Sequence, residues 1–309
     1  MRNVIERRID ELPENDTLIR VNYSSLNYKD ALSASGNRGI TRRYPHTPGI
    51  DAAGVIVESP AFSEGEEVVA MGFDLGMNIP GGFGQYVRVP SSWVLRRPEG
   101  LSLKECMIYG TAGYTAGLSV AKLTENGVNP DSGEILVTGA TGGVGMLAVG
   151  ILAKIGFHVV ASTGKAQASD FLKSLGAAEV ISREALHDPG RPLMSGRWGG
   201  VVDTVGGEIL SNALKSTKYG GAVTCCGMVA SADLCTSIFP FILRGVGLHG
   251  IDAAQSPMDL RKKIWEKLSG QWKPDNLERL SSVCALDELE GKIDAMLAGG
   301  SMGRVVVPL

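Results

Sequence analysis

The residues best placed to do chemistry are a run of small ones, Thr141-Gly142-Gly143-Val144-Gly145, preceded by Gly139-Ala140. The run follows the apolar stretch Ile135-Leu136-Val137. It opens a segment, Val144 to Ile155, with apolar residues at i, i+3, i+4 and i+7 (Val144, Leu147, Ala148, Ile151). Strand, glycine turn and helix together present free backbone N–H groups and the positive end of a helix dipole to a phosphate. The simplest dinucleotide fingerprint, G-x-G-x-x-G, has its first glycine replaced by Ala140. Gly142 and Gly145 keep the positions used for close approach of a pyrophosphate and for tight helix–strand packing. The plainer reading, a tight strand–helix connection, needs one glycine, whereas four fall between Thr138 and Gly145.

The end of the following strand chooses between dinucleotides. NAD sites usually place an acid there to accept from the ribose hydroxyls. This chain has Ser162-Thr163-Gly164-Lys165 instead, two hydroxyls and an ammonium that suit a 2′-phosphate. Arg183, just past the third strand, would add a second cation from the next loop. NADPH is therefore the expected cofactor; the alternative for Lys165 is a solvated residue at a helix start.

No metal is expected. The four histidines have no ligand spacing, and Cys106, Cys225, Cys226, Cys235 and Cys284 form no C-x-x-C pair. Their odd number argues against a disulfide framework and for reduced thiols in a cytoplasmic protein.

These groups need elements to hold them. Residues 17–95 read as short strands punctuated by Gly, Pro and Ser, in the manner of an antiparallel barrel, and Ser102 to Val120 reads as a helix. From Glu134 onward strands alternate with helices, which implies right-handed crossovers and a doubly wound parallel sheet ending in a strand at Val246 to Ile251. Helices are expected over Ala166 to Leu175, Pro257 to Ser269 and Asp287 to Leu297. The strand Arg304-Val305-Val306-Val307 should return to the first domain.

At 309 residues the chain is long enough for two cores, and its formal charge of −3 gives no support for nucleic acid or an anionic membrane as partner. The opening MRNVIERRIDELPEND is charged throughout, unlike a secretory signal. Ile135 to Ala153 is uncharged and nearly long enough to span a bilayer, but its glycines would break a lone helix in lipid. A soluble protein is expected.

Asn27-Tyr28-Lys29-Asp30, Pro48-Gly49-Ile50-Asp51-Ala52-Ala53-Gly54, Tyr109-Gly110-Thr111-Ala112-Gly113 and the glycine turn occur in that order. Pro240-Phe241-Ile242-Leu243-Arg244-Gly245-Val246 and Gly303-Arg304-Val305 follow. This pattern, spread over nearly the whole chain, resembles the zinc-free quinone oxidoreductase and acryloyl-CoA reductase branch of the medium-chain dehydrogenase/reductase superfamily. The resemblance implies an α/β fold: a GroES-like β-barrel domain over 1–108, completed by 272–309, and a Rossmann doubly wound parallel sheet over 109–271 that binds NADPH, with the active site in the cleft between them. Zinc members carry a histidine where Ile50 stands, so hydride transfer to an acceptor already activated by conjugation is implied: an enoyl-CoA, an enone or a quinone. The alternatives are an alcohol or aldehyde dehydrogenase and a dinucleotide-binding protein without turnover.

The resemblance also implies roles. Tyr28 would contact the cofactor and relay a proton or support an oxyanion, with Asn27 donating to the same oxygen; Tyr44 and solvent are the competing proton sources. Asp30 and Asp51 read equally as structural or catalytic. Met228, Ile242 and Ala253 would line the nicotinamide side, with ordinary core packing as the alternative for each. Arg38, Arg42 and Arg43 would either draw in the phosphates of a CoA ester or form a solvated loop. A homodimer paired near Pro240 to Ile251 is usual for the likeness. Family members usually open with an extra strand pair, so an unpaired barrel edge is expected near Thr17.

Overall fold

Apolar–polar alternation from Thr17 onward builds one sheet, and the strand–turn–helix repeats after Glu134 build another. The computed structural model describes residues 2–187 and 190–309, which form two compact units. The segment ending at Ala112 makes the first unit with Ala253–Ser269 and Leu277–Leu309; Gly113–Asp252 and Gly270–Asn276 make the second. Residues 253–269, assigned from the sequence to the nucleotide domain, thus join the first unit. Side-chain bonds account for this: buried Arg261 donates to the Met71 carbonyl at 2.8 Å, and Tyr109 donates to that of Leu268 at 3.0 Å.

In the first unit, β1 (Thr17–Leu26) leads into α1 (Tyr28–Ala34), followed by β2 (Asp51–Glu58), β3 (Glu67–Met71), β4 (Tyr86–Val89) and β5 (Val94–Arg96). The long helix α2 (Leu103–Glu125) is broken at Gly110, whose φ of 49° and ψ of −153° lie outside helical geometry. The second unit carries β6 (Glu134–Val137), α3 (Gly143–Lys154), β7 (His158–Thr163), α4 (Ser169–Ser174) and β8 (Glu179–Ser182). It continues with β9 (Trp198–Asp203), α5 (Gly207–Lys215), β10 (Thr217–Cys225), α6 (Phe239–Arg244) and β11 (Gly247–Gly250). The chain ends with α7 (Met258–Ser269), β12 (Ser281–Val283), α8 (Leu289–Leu297) and β13 (Arg304–Pro308).

The first sheet runs β12-β13-β1-β2-β3-β5, with β4 also on β1. Ile19, Val21, Ile56, Val68, Val87 and Val94 pack into its core. β1 is long enough to hold β4 along Thr17–Arg20 and β13 along Tyr23–Leu26 while β2 pairs antiparallel with it. The edge expected to lie open near Thr17 is therefore paired. The sheet ends instead in the three-residue strands β12 and β5, too short to template further pairing.

The second sheet is parallel throughout, in the order β11-β10-β9-β6-β7-β8. The strand order reverses beside β6, with β7 and β8 on one side and β9 to β11 on the other, the switch point where ligands of open α/β sheets bind outside the carboxyl ends of the strands. The uncharged Ile135 to Ala153 stretch divides into β6, the turn and α3. Among the described residues, no helix is long and apolar enough to cross a membrane. The helix expected from Ala166 begins as a 3₁₀ turn, Ala166–Ala168, before α4.

Candidate active site

At the switch point, β6 ends at Val137, and after Thr138 the chain turns on Gly139, whose φ is 58°. The left-handed residue of the turn is thus the glycine before Ala140. Ala140 itself is buried, and its N–H donates to Ser162 O at 3.0 Å. An alanine at 142 would meet only Gly139 O within 4 Å, whereas a Cβ at 145 would overlap Gly139 O and crowd Ala140. Gly145 therefore serves packing, and Gly142 leaves space in front of α3. No side chain caps α3 at Gly142. Its first N–H groups, at Gly143, Val144 and Gly145, have no intrahelical acceptor and are directed outward with the helix dipole.

Behind the turn, Thr138 Oγ1 donates to the buried Asp203 Oδ1 at 2.7 Å, and Gly206 N donates to Oδ2 at 2.8 Å. Burial raises the Asp203 carboxyl and the Thr138 bond opposes the rise. Asp203 holds the ends of β6 and β9 together; no spacing in the sequence marked it. Burial, followed by the Asp203 charge, pushes the neighbouring Cys226 thiol up to about 12, which keeps it from acting as a thiolate nucleophile.

At the end of β7, Ser162 and Thr163 are buried, and Thr163 Oγ1 lies 3.3 Å from Thr141 Oγ1 and accepts from Lys165 N at 3.1 Å. The Arg183 guanidinium sits 3.1–3.2 Å from where a Cβ on Gly164 would stand. Arg183 Nε also donates to Glu184 Oε1 at 3.1 Å. Partial burial lowers the Lys165 ammonium. Thr141, Ser162, Thr163, Lys165 and Arg183 thus lie along one stretch of the sheet's carboxyl edge. Hydroxyls, an ammonium and a guanidinium form a donor set that fits a phosphate monoester.

The first unit uses its polar residues differently. Asp51 Oδ1 accepts from Thr111 N at 2.9 Å and Thr111 Oγ1 at 2.6 Å. Its Oδ2 accepts from Ser25 Oγ at 2.7 Å and Asn27 Nδ2 at 2.8 Å, and lies 3.6 Å from Arg304 Nη2. Arg304, itself buried, donates to Asn27 Oδ1, Ser25 Oγ and the Leu26 and Ile108 carbonyls. Burial lowers its pKa, and the Asp51 and Asp30 charges oppose that shift. Gly110 is required here, because a Cβ would overlap Asp51 Oδ2 and stand 2.7 Å from Ser25 Oγ.

Asp30 completes the cluster. Its Oδ1 accepts from Gly49 N at 3.0 Å and Ile50 N at 2.8 Å, and its Oδ2 from Asn27 N at 2.8 Å. Burial, then the Asp51 charge, pushes its carboxyl up to about 7, against the pull of those N–H donors. Asn27, Asp30, the Gly49–Ile50 backbone, Asp51, Thr111 and Arg304 are therefore one enclosed polar cluster, with Gly110 making room for it. Asn27, expected to donate to an acceptor oxygen, has its amide turned to Asp51, Asp30 and Ser25 O and its Oδ1 given to Arg304. Its side-chain bonds are thus all made to groups of the protein itself.

Tyr28, the next residue, is the first of α1 and remains 43% exposed. Tyr44 is also exposed, but its hydroxyl donates to Ser33 O at 2.8 Å. Met228 and Ile242, in the second unit, are 72% and 65% exposed, so core packing does not explain them. Ala253 is buried and belongs to the first unit. Ser25, Asp203 and Arg261 were missed in the sequence, since their partners lie far along the chain.

Two family descriptions fit the chain, "alcohol dehydrogenase GroES-like domain" over residues 13–99 and "zinc-binding dehydrogenase" over residues 143–269. The Bacillus subtilis protein YhfP, which carries the name of a quinone oxidoreductase, is 47% identical over 304 residues, covering 97% of this chain and 92% of its own. Its structure with NAD bound has a TM-score of 0.95 and covers 98% of this chain and 93% of that one. The acrylyl-CoA reductase AcuI of Ruegeria pomeroyi is 40% identical over 302 residues, covering 97% of this chain and 92% of its own. The structure of Escherichia coli K-12 YhdH with bound NADPH has a TM-score of 0.96 at 39% identity, covering 99% of this chain and 95% of that one.

Proposed function

The chain belongs to the medium-chain dehydrogenase/reductase superfamily and is an oxidoreductase; within that family we propose that it reduces an acceptor activated by conjugation, an enoyl thioester, an enone or a quinone, with NADPH. Its first unit is GroES-like and its second Rossmann-type. The observation that carries the cofactor reading is the Arg183 guanidinium lying against Gly164, next in sequence to Lys165 and just beyond the hydroxyls of Ser162 and Thr163.

When bound, NADPH supplies the hydride. In this reading the α3 N–H groups at Gly143, Val144 and Gly145 hold the pyrophosphate, beside Thr141 and Gly142. Ser162, Thr163, Lys165 and Arg183 hold the 2′-phosphate. Met228 and Ile242, both exposed in the second unit, supply apolar surface to the nicotinamide. Tyr28 directs its phenol at the acceptor oxygen, and its exposure lets water return the proton. Asn27 fixes the backbone from which Tyr28 projects, through its bonds to Asp51 and Arg304. Buried Ile50 offers no ligand where zinc members place histidine, which supports a reaction without a metal Lewis acid.

NADPH oxidation is followed by absorbance with acrylyl-CoA, an uncharged enone and a quinone in separate assays. Turnover of at least one is expected, and Tyr28→Phe should lower kcat while leaving the Kd of NADPH unchanged. Binding of NADPH with no acceptor consumed would replace this reading with a dinucleotide-binding protein without turnover. The NAD-bound structure of YhfP favours NAD as the second cofactor reading, to be compared at equal concentrations. We also propose a cytoplasmic homodimer paired along β11, one of the two edge strands of the parallel sheet. Light scattering that gives the mass of one chain would refute the dimer.

A further inference from the structure

Between Asp30 and Asp51 the chain has no acidic residue, yet it places Arg38, Arg42 and Arg43 within six positions of a protein with a formal charge of −3. The loop that carries them is tied inward. Ile40 N and Thr41 N donate to Asn37 O at 3.1 and 3.0 Å, and Gly39 N donates to Asn37 Oδ1 at 2.9 Å. Thr41 Oγ1 lies 2.7 Å from Ser33 Oγ in the interior, and Tyr44 donates to Ser33 O at the end of α1. With those bonds turned inward, all three arginines are left exposed, together with the ring of Tyr44.

Elsewhere in the same unit Arg2, Arg7, Arg88, Arg96 and Arg97 each hold a carboxylate. Among the described residues, Arg38, Arg42 and Arg43 hold none. Three neighbouring cations repel one another, and the repulsion is relieved by a ligand carrying several anionic charges. Guanidinium forks match phosphate oxygens in pairs. The pyrophosphate and 2′-phosphate of NADPH already have donors in the second unit, and a quinone or simple enone carries no charge. α1 separates Tyr28 from this loop by about 10 Å at 1.5 Å per residue, so a flexible arm must join the reacting group to the anion.

We infer that residues 38–44 form an anion subsite for the 3′-phosphate and diphosphate of a coenzyme A thioester, with Tyr44 offering its ring to the adenine. The inference rests on the acceptor-reducing function proposed above and selects the CoA thioester among its acceptors.

The test compares wild type with Arg38→Gln/Arg42→Gln/Arg43→Gln, all at surface positions. The triple variant should raise KM for acrylyl-CoA about tenfold or more, with kcat held and with unchanged kcat/KM for an uncharged enone and unchanged Kd for NADPH. Adenosine 3′,5′-bisphosphate should compete with the thioester in the wild type and lose that effect in the variant. An unchanged KM for the thioester, or equal losses with thioester and enone, would overturn the subsite. Binding to anionic vesicles that the bisphosphate does not displace would also overturn it, in favour of a membrane surface. If no acceptor is reduced but calorimetry finds bisphosphate binding that the variant loses, the subsite stands and the reductase reading fails. If enones are reduced and the bisphosphate does not bind, the reverse holds.

Discussion

The polar cluster of the first unit and the glycine turn of the second use the same residue types to opposite ends. Around Asp51, the named donors Ser25, Asn27, Thr111 and Arg304 all find acceptors inside the protein, and Gly110 makes room for a carboxylate. At the head of α3 the N–H groups are left without an internal acceptor, and Gly142 makes room for a ligand. Donors already committed in the folded chain hold the backbone in place; donors left open are available to a ligand. Asn27 and Tyr28, adjacent in sequence, fall on opposite sides of that division.

Breaking each side should produce a different signature. Arg304→Met strands the buried Asp51 and removes four further hydrogen bonds, so urea unfolding should show a loss of about 3–5 kcal/mol. Adding Asp51→Leu should recover part of that loss; strictly additive losses would mean that the two residues do not act as a unit. Next in size is the pH response of Asp30, whose carboxyl is raised from 3.8 to about 7 by burial and then by Asp51. A raised acid favours folding fully below its unfolded pKa, and that contribution is lost as pH climbs to the folded pKa. Wild type should therefore lose stability, relative to Asp30→Asn, as pH rises from about 4 to about 7 and hold level above that.

The turn should respond in binding and not in stability. Gly142→Ala, at an ordinary φ of −74°, should weaken NADPH about tenfold, or about 1.4 kcal/mol, with the melting temperature unchanged. A fall in melting temperature would place Gly142 with the packing glycines instead. The smallest effect belongs to the half-exposed Lys165. Lys165→Ala should reduce the preference for NADPH over NADH by roughly fivefold, about 1 kcal/mol, and an unchanged ratio would refute its role at the 2′-phosphate.

The turn was legible because strand, glycines and helix follow one another within a single local pattern. Ala140 misled only by one position, since the residue that needs positive φ is Gly139. The cluster around Asp51 was legible as a set of motifs and not as a cluster. Ser25 and Arg304 meet across 279 residues, and nothing in the spacing of either announces the other. Asn27 shows the same gap between identity and destination: its type suited donation to a substrate, and only the fold reveals that its donors are taken. The placement of 253–269 escaped for a similar reason, because periodicity marks α7 as a helix without saying which sheet its Arg261 will reach.

The pairing of β1 with β13 also sets an order of events during synthesis. The Gly113–Asp252 segment of the second unit is nearly continuous in sequence, so it can pack as soon as it emerges. The first unit must wait with Asp51 uncompensated until Arg304 and the strand Arg304–Pro308 arrive to close against Tyr23–Leu26. Its opening strand is made first and completed last, which makes the unfinished N-terminal half the part of the nascent chain most in need of protection.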